Sequence, residues 1–213
     1  MVNLASTLYD FFATKVIRRK YLKELDEIIN PLGNLSGKRI LEVGAGTCKI
    51  SAEIKRRFPS ATVYSTDISA SHLQLGKKKA DIKTIICPTE ALTRKLPPDS
   101  FDLVIAVDTV HHHRNRVRAF KNIFKVLKPG GKLAMREIDR LLPGYFNYKL
   151  IDKTDWLLSK LQGFSYIDPQ YFSSEELKEL LLLIGFRKIR IKKLGRDALI
   201  QLYAEKPTIN NSS

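Results

Sequence analysis

From Arg39 onward, short β-branched runs alternate with longer stretches whose apolar residues recur at helical spacing. That is the pattern of strands and helices taking turns in a parallel sheet covered on both faces. The runs 39–43, 61–65, 84–87, 101–107 and 132–136 read as five strands. The fourth, from Phe101 to Val107, is the most apolar, as a central strand buried on both sides should be. Ile50, Ile54 and Phe58 share one helical face, and Pro59 stops that helix. Phe120, Ile123, Phe124 and Leu127 form a second apolar face, after which Pro129-Gly130-Gly131 predicts a turn into the fifth strand. Further on, Ser173 and Glu176 fit a capping box before an apolar helix over 177–184, and Gly185 suits its left-handed end. Residues 186–194 and 198–205 then read as two strands of a hairpin joined by Gly195-Arg196-Asp197.

Outside this alternation, residues 1–36 predict one or two helices with Leu8, Phe11, Phe12, Val16 and Ile17 on an apolar side, a segment suited to a lid. Residues 207–213 are polar and are expected to be a disordered tail. A length of 213 residues suits a single domain, here over 1–206. With 44% hydrophobic and 28% charged residues, disordered and fibrous classes are excluded. No apolar run approaches the roughly 18 residues of a membrane span. Asp10 and Lys15 break up the apolar N-terminal positions, so no export signal is expected and the location is read as cytoplasmic. Two cysteines, Cys48 and Cys87, are too few for a disulfide framework and lack zinc spacing; no metal is expected. The net charge of +15 is spread over many short clusters, which describes a solvated surface, with RNA as an alternative partner.

The chemistry concentrates in Leu41-Glu42-Val43-Gly44-Ala45-Gly46-Thr47-Cys48, where the first strand turns into its helix. Glycines at such a corner let backbone approach a ligand, and the helix start offers N–H donors. Asp67 follows the second strand 21 residues after Gly46, the spacing at which a carboxylate meets a nucleoside ribose. The dinucleotide pattern asks for a third glycine where Lys49 stands, which tilts the corner away from a pyrophosphate cofactor.

Four segments in this order, 40–47, 64–68, 98–107 and 126–133, resemble the class I S-adenosylmethionine-dependent methyltransferases. Within them the chain is similar to the type 11 group, which includes ubiquinone and menaquinone methyltransferase-like proteins. Leu127-Lys128-Pro129-Gly130-Gly131 is the most typical stretch. The resemblance implies a Rossmann-like three-layer α/β sandwich, with a mostly parallel seven-stranded sheet ending in an antiparallel hairpin. It implies S-adenosyl-L-methionine as cofactor. Glu42, Gly44, Ala45, Gly46 and Thr47 would shape the methionine and ribose pocket, and Asp67 would bind the ribose hydroxyls. Ile68 would lie on the adenine face, Thr89 and Glu90 near its edge, and Ala106 and Val107 beside the amino group and sulfonium. Two positions depart from the family pattern: Cys48 stands where many relatives have glycine, and Pro88 where many have an acid that accepts the adenine amino hydrogen.

Three groups are weighed as catalytic: Asp108, read either as the carboxylate nearest the methyl group or as a helix cap; His112, within His111-His112-His113; and Tyr9 in the N-terminal segment. The segment 141–172 holds eight of the nineteen aromatics, which suits either a cover over a planar acceptor or a small helical layer with its own core. Ala106-Val107-Asp108-Thr109 lacks the Asn/Asp-Pro-Pro-aromatic tetrad of amino methyltransferases acting on adenine, cytosine or glutamine. The acceptor is therefore expected to be small or lipid-like, with RNA as the alternative. A partner-binding protein that keeps the fold without catalysis is the rival reading, and a nicotinamide oxidoreductase a third.

Overall fold

Strands form where the β-branched runs predict them, and the pairing between strands sets where they end. A computed structural model of the chain describes residues 26–146, 149, 169–194 and 198–208. They form a seven-stranded sheet in the order β3-β2-β1-β4-β5-β7-β6. The strands are β1 (Arg39–Val43), β2 (Thr62–Asp67), β3 (Lys83–Ile86), β4 (Phe101–Val107), β5 (Leu127–Ile138), β6 (Arg187–Leu194) and β7 (Leu199–Glu205). Strands β1 to β5 pair in parallel, while β7 runs antiparallel to both β5 and β6. The helices are α1 (Lys49–Arg57), α2 (Ala70–Lys77), α3 (Arg116–Val126) and α4 (Ser174–Ile184).

Alternate residues of the central strands face opposite ways and build two cores. Leu41, Val43, Val104, Leu133 and Met135 pack with Phe120 and Ile123 of α3 and Leu177 and Leu181 of α4. Ile40, Val63, Leu103, Ile105 and Ala134 pack with Ile50 and Ile54 of α1 and Leu73 of α2. Ser173 and Glu176 form the expected capping box, and Gly185 ends α4 in the left-handed conformation.

Two strands run well past the bounds read from the sequence. Strand β2 runs on through Thr66 and Asp67, because these pair with Val43 of β1 and Ile86 of β3. Strand β5 takes in Pro129-Gly130-Gly131: the expected turn is a local irregularity, with the register shifting between Phe101 and Leu103 of the neighbouring β4. It persists to Ile138 despite Arg136 and Glu137, since β7 pairs with it over that whole length.

The Cys48 departure has a packing partner. Cys48 is buried in the left-handed conformation at φ 56°, and a Cβ on Gly76 of α2 would stand 2.3 Å from its Sγ. The thiol fills the space left by that glycine. Gly76→Ala, which in an ordinary helix interior stabilises, is expected to cost about 2 kcal/mol here through overpacking. Adding Cys48→Gly should recover most of the loss, since it removes the colliding group and suits the positive φ. Urea unfolding of the two single variants and the double variant checks this; an unaffected Gly76→Ala protein would remove the proposed contact. Among the described residues no helix is long and apolar enough to cross a membrane.

Candidate functional site

The strand order reverses at β1, whose two neighbours are β2 and β4, and this opens a crevice beyond the carboxyl ends of these strands. The turn from Gly44 to Cys48 forms its floor and is tied to β2 throughout. Ala45 N–H donates to the Thr66 carbonyl at 2.9 Å, and Gly46 N–H to Asp67 Oδ2 at 2.8 Å. The other carboxylate oxygen of Asp67 accepts from Ser69 N–H at 2.8 Å. Each oxygen keeps a second lone pair, so a fixed carboxylate faces the crevice edge with acceptor capacity to spare.

The two glycines of this turn serve different needs. A Cβ on Gly44 would lie 1.9 Å from Thr109 Oγ1, so Gly44 lets the turn after β4 close against the turn after β1. Beyond Gly46, at φ 50°, a Cβ would meet nothing within 4 Å: this is the open side of the cradle. Apolar side chains stand in solvent beside it, Ile68 at 68% exposure and Ile86 at 59%, at the ends of β2 and β3. They form a surface suited to a flat apolar ring.

Glu42 lies beneath the cradle and is buried. Its carboxylate accepts from Ser51 N–H at 3.0 Å and from Ser51 Oγ, which in turn lies 2.7 Å from Ser65 Oγ. The α1 N-cap, Cys48, makes no side-chain cap bond, so Glu42 caps the first turn of α1 from the neighbouring strand. Burial pushes its carboxyl up to about 7, against the hydrogen bonds from Ser51 that pull it down. Glu42 therefore fastens the start of α1 beneath the cradle.

Thr89 and Glu90 begin a 3-10 turn over Thr89–Arg94 after β3. Buried Asn122 of α3 donates to the Thr89 carbonyl at 3.2 Å, and Glu90 Oε1 accepts from Asn115 N–H at 3.3 Å. Ala106 is buried and Val107 half-buried at the end of β4. Asp108, at φ 49°, is not a helix cap: its carboxylate forms a two-bond pair with Arg136 of β5, and Asn115 caps α3 instead. The capping alternative is thereby corrected, because the guanidinium from the adjacent strand end competes better for the carboxylate than neutral N–H groups.

Glu137, the next residue of β5, is buried on the opposite face and bonds His111 Nδ1 at 2.5 Å. It also accepts from the N–H groups of Val110 at 3.0 Å, His111 at 3.2 Å and Ile138 at 3.1 Å. Burial pushes this carboxyl up, but His111 and the backbone donors outweigh it and leave it below its ordinary value. Glu137 thus holds the turn after β4 in place. His112 is exposed, its ring 4.1 Å from that of His111, and burial pushes the half-buried His113 toward its neutral form. The dyad is His111 with Glu137, a pairing that the sequence did not single out; the signal available was two charged residues, Arg136 and Glu137, closing an apolar strand. Tyr9 lies outside the described residues, as do Tyr148, Trp156, Phe164 and Tyr166 of the aromatic segment. Tyr145, Phe146, Tyr171 and Phe172 are described.

This crevice fits a cationic nucleoside better than a pyrophosphate. The N–H groups of Gly46, Cys48 and Ser51 already have protein acceptors, and the carboxyls of Glu42 and Asp67 flank the turn where a diphosphate would have to sit. A model for a methyltransferase domain matches residues 41–135. The ubiquinone/menaquinone biosynthesis C-methyltransferase UbiE of Laribacter hongkongensis is 30% identical over 183 residues, 78% of this chain and 74% of that protein. The chain belongs to the class I S-adenosylmethionine-dependent methyltransferases of the type 11 group. UbiE of Geobacter sulfurreducens is 28% identical to this methyltransferase over 169 residues, 71% of this chain and 65%, just under two thirds, of that protein. Among solved structures, a SAM-dependent methyltransferase from Thermotoga maritima, described as a possible histamine N-methyltransferase, superposes with a TM-score of 0.71. It covers 94% of this chain and 95% of that one at 22% identity, which concerns the methyltransferase fold alone.

Proposed function

We propose that this methyltransferase transfers a methyl group from S-adenosylmethionine to a small, planar or lipid-like acceptor held over the carboxyl ends of β4 and β5. The observation that carries this reading is the open cradle at Gly46 with the fixed Asp67 carboxylate at its edge. When bound, the cofactor would supply a methyl carbon made electrophilic by the adjacent sulfonium, open to an acceptor's electron pair with neutral sulfide as the leaving group.

The chain's own part is to bind, orient and exclude water. Asp67 would take the ribose hydroxyls, Gly44, Ala45, Gly46 and Thr47 would take the methionine portion, and Ile68 would lie on the adenine face with Thr89 and Glu90 at its edge. Ala106 and Val107 would flank the sulfonium. Glu42 sets α1, and Glu137 with His111 sets the turn after β4, so that both walls of the site are rigid. Residues 1–36 and 141–172 close over the acceptor as lid and cover within one domain of residues 1–206. Two relatives whose names assign them ubiquinone and menaquinone C-methylation support an apolar ring as acceptor.

Titration calorimetry of the full chain with S-adenosylhomocysteine is expected to show one-to-one binding, and labelled donor is expected to mark a small-molecule fraction of a cell extract. A well-folded protein that binds no S-adenosylhomocysteine would leave the non-catalytic reading in its place. Label in RNA alone would replace the acceptor class.

A further inference from the structure

Past the turn after β4, on the α3 and α4 side of the sheet, the chain forms a second cleft of about 380 Å³. Its floor is aromatic: Tyr171, buried, lies 4.8 Å from the ring of His111, and Tyr145 meets Tyr171 edge-on at 5.3 Å. The cleft is anchored to the proposed reaction centre, because Gln170 N–H donates to the His111 carbonyl at 3.0 Å. Leu141 and Phe146, 66% and 77% exposed, lie at the start of the same segment that supplies Tyr145 to the cleft.

Two guanidinium groups belong to this cleft, and their partners differ. Arg140 pairs with Glu176 at 2.5 Å and is neutralised there. Arg116, at the start of α3, lies 4.6 Å over the ring of Phe172 and donates to neutral acceptors, the Gln170 carbonyl at 2.7 Å and the Gln170 side-chain amide oxygen. Among the described residues that line the cleft, two guanidinium groups stand with one carboxylate, Glu176, on an aromatic floor. Burial pulls Arg116 below its ordinary value, and the Glu176 carboxylate acts the other way.

We propose that this cleft binds the anionic group, a carboxylate or a phosphate, of a planar acceptor whose ring lies on Tyr171 and Tyr145. Arg116 is its anchor, with a planar fork matched to either oxyanion, and the paired Arg140 and Glu176 border it. The inference rests on the methyl-transfer reading and narrows it to an acid: a carboxylate or phosphate can take the Arg116 fork, which a neutral planar acceptor cannot.

The test is calorimetry at pH 7 on the full chain saturated with S-adenosylhomocysteine, using 2-naphthoate, 2-naphthyl phosphate and neutral 2-naphthol as probes. At least one anion is expected to bind about tenfold or more tightly than the naphthol, and which one does so identifies the oxyanion. Arg116→Gln should bring that anion to the naphthol level and leave S-adenosylhomocysteine affinity unchanged, which also reports that the variant is folded. Arg140→Gln should weaken the anion by a smaller factor. Naphthol binding as tightly as both anions, or an anion preference that survives Arg116→Gln, overturns the subsite while leaving methyl transfer standing. Failure of the wild-type chain to bind S-adenosylhomocysteine overturns both.

Discussion

Asp67→Ala is expected to weaken S-adenosylhomocysteine binding about a hundredfold. Two hydrogen bonds from a ribose diol to a carboxylate, at about 1.5–3 kcal/mol each before loss of water, exceed the roughly 2.7 kcal/mol that such a change requires. The substitution also removes the acceptors of Gly46 N–H and Ser69 N–H, so the cradle loses its fastening to β2. Asp67→Asn keeps one carbonyl oxygen but turns an amide donor toward a backbone N–H or a ribose hydroxyl, and should fall between wild type and alanine. Thermal unfolding should change modestly in both, because Asp67 is only half-buried. Calorimetric affinity within threefold of wild type in the alanine variant would remove Asp67 from the binding site.

The second large effect concerns Glu42 and runs through pH. Its carboxyl rises from 4.5 to about 7 on folding because burial penalises the charged form. A group raised in the folded state favours folding fully below its unfolded value, and that contribution is lost as pH climbs through the folded value. Between pH 4.5 and 8 the wild type should therefore give up about 3 kcal/mol that a permanently neutral side chain retains. Glu42→Gln keeps an acceptor for Ser51 N–H and offers a donor to Ser51 Oγ, so it is expected to match the wild type near pH 5 and exceed it near pH 8. On a chain of this size that is a lead of about 6–12 °C in Tm. Melting curves of both proteins from pH 5 to 9 read it directly. Parallel pH profiles would mean that folding leaves the Glu42 carboxyl at its ordinary value.

Much of the site was legible because it rests on local chemistry. Asp67 stands at a fixed spacing from Gly46, and the structure turns that spacing into a hydrogen bond between the two. Glu42 is a carboxylate inside the apolar run 39–43, and the structure buries it against Ser51. Asp108 was ambiguous because its neighbours along the chain do not include its partner. Arg136 lies 28 residues further on and is brought beside it by the β4–β5 pairing. Glu137 and His111 were missed for the same reason, being 26 residues apart. Arg116 belongs to one of the scattered basic clusters and Arg140 to none, and the two meet only because the start of α3 and the segment after β5 share one cleft.

The sequence by itself determined the order of strands and helices, the caps of α4, the cradle and the methyltransferase family, since these depend on period, turn chemistry and spacing within a few residues or a single strand-helix unit. Only the tertiary structure decided what each charged group faces, why Cys48 is accommodated, and that Arg116 and Arg140 share one cleft. Those outcomes follow from strand register and helix docking, where residues far apart in the chain are forced into contact and the free energy of each buried charge depends on the partner it finds there.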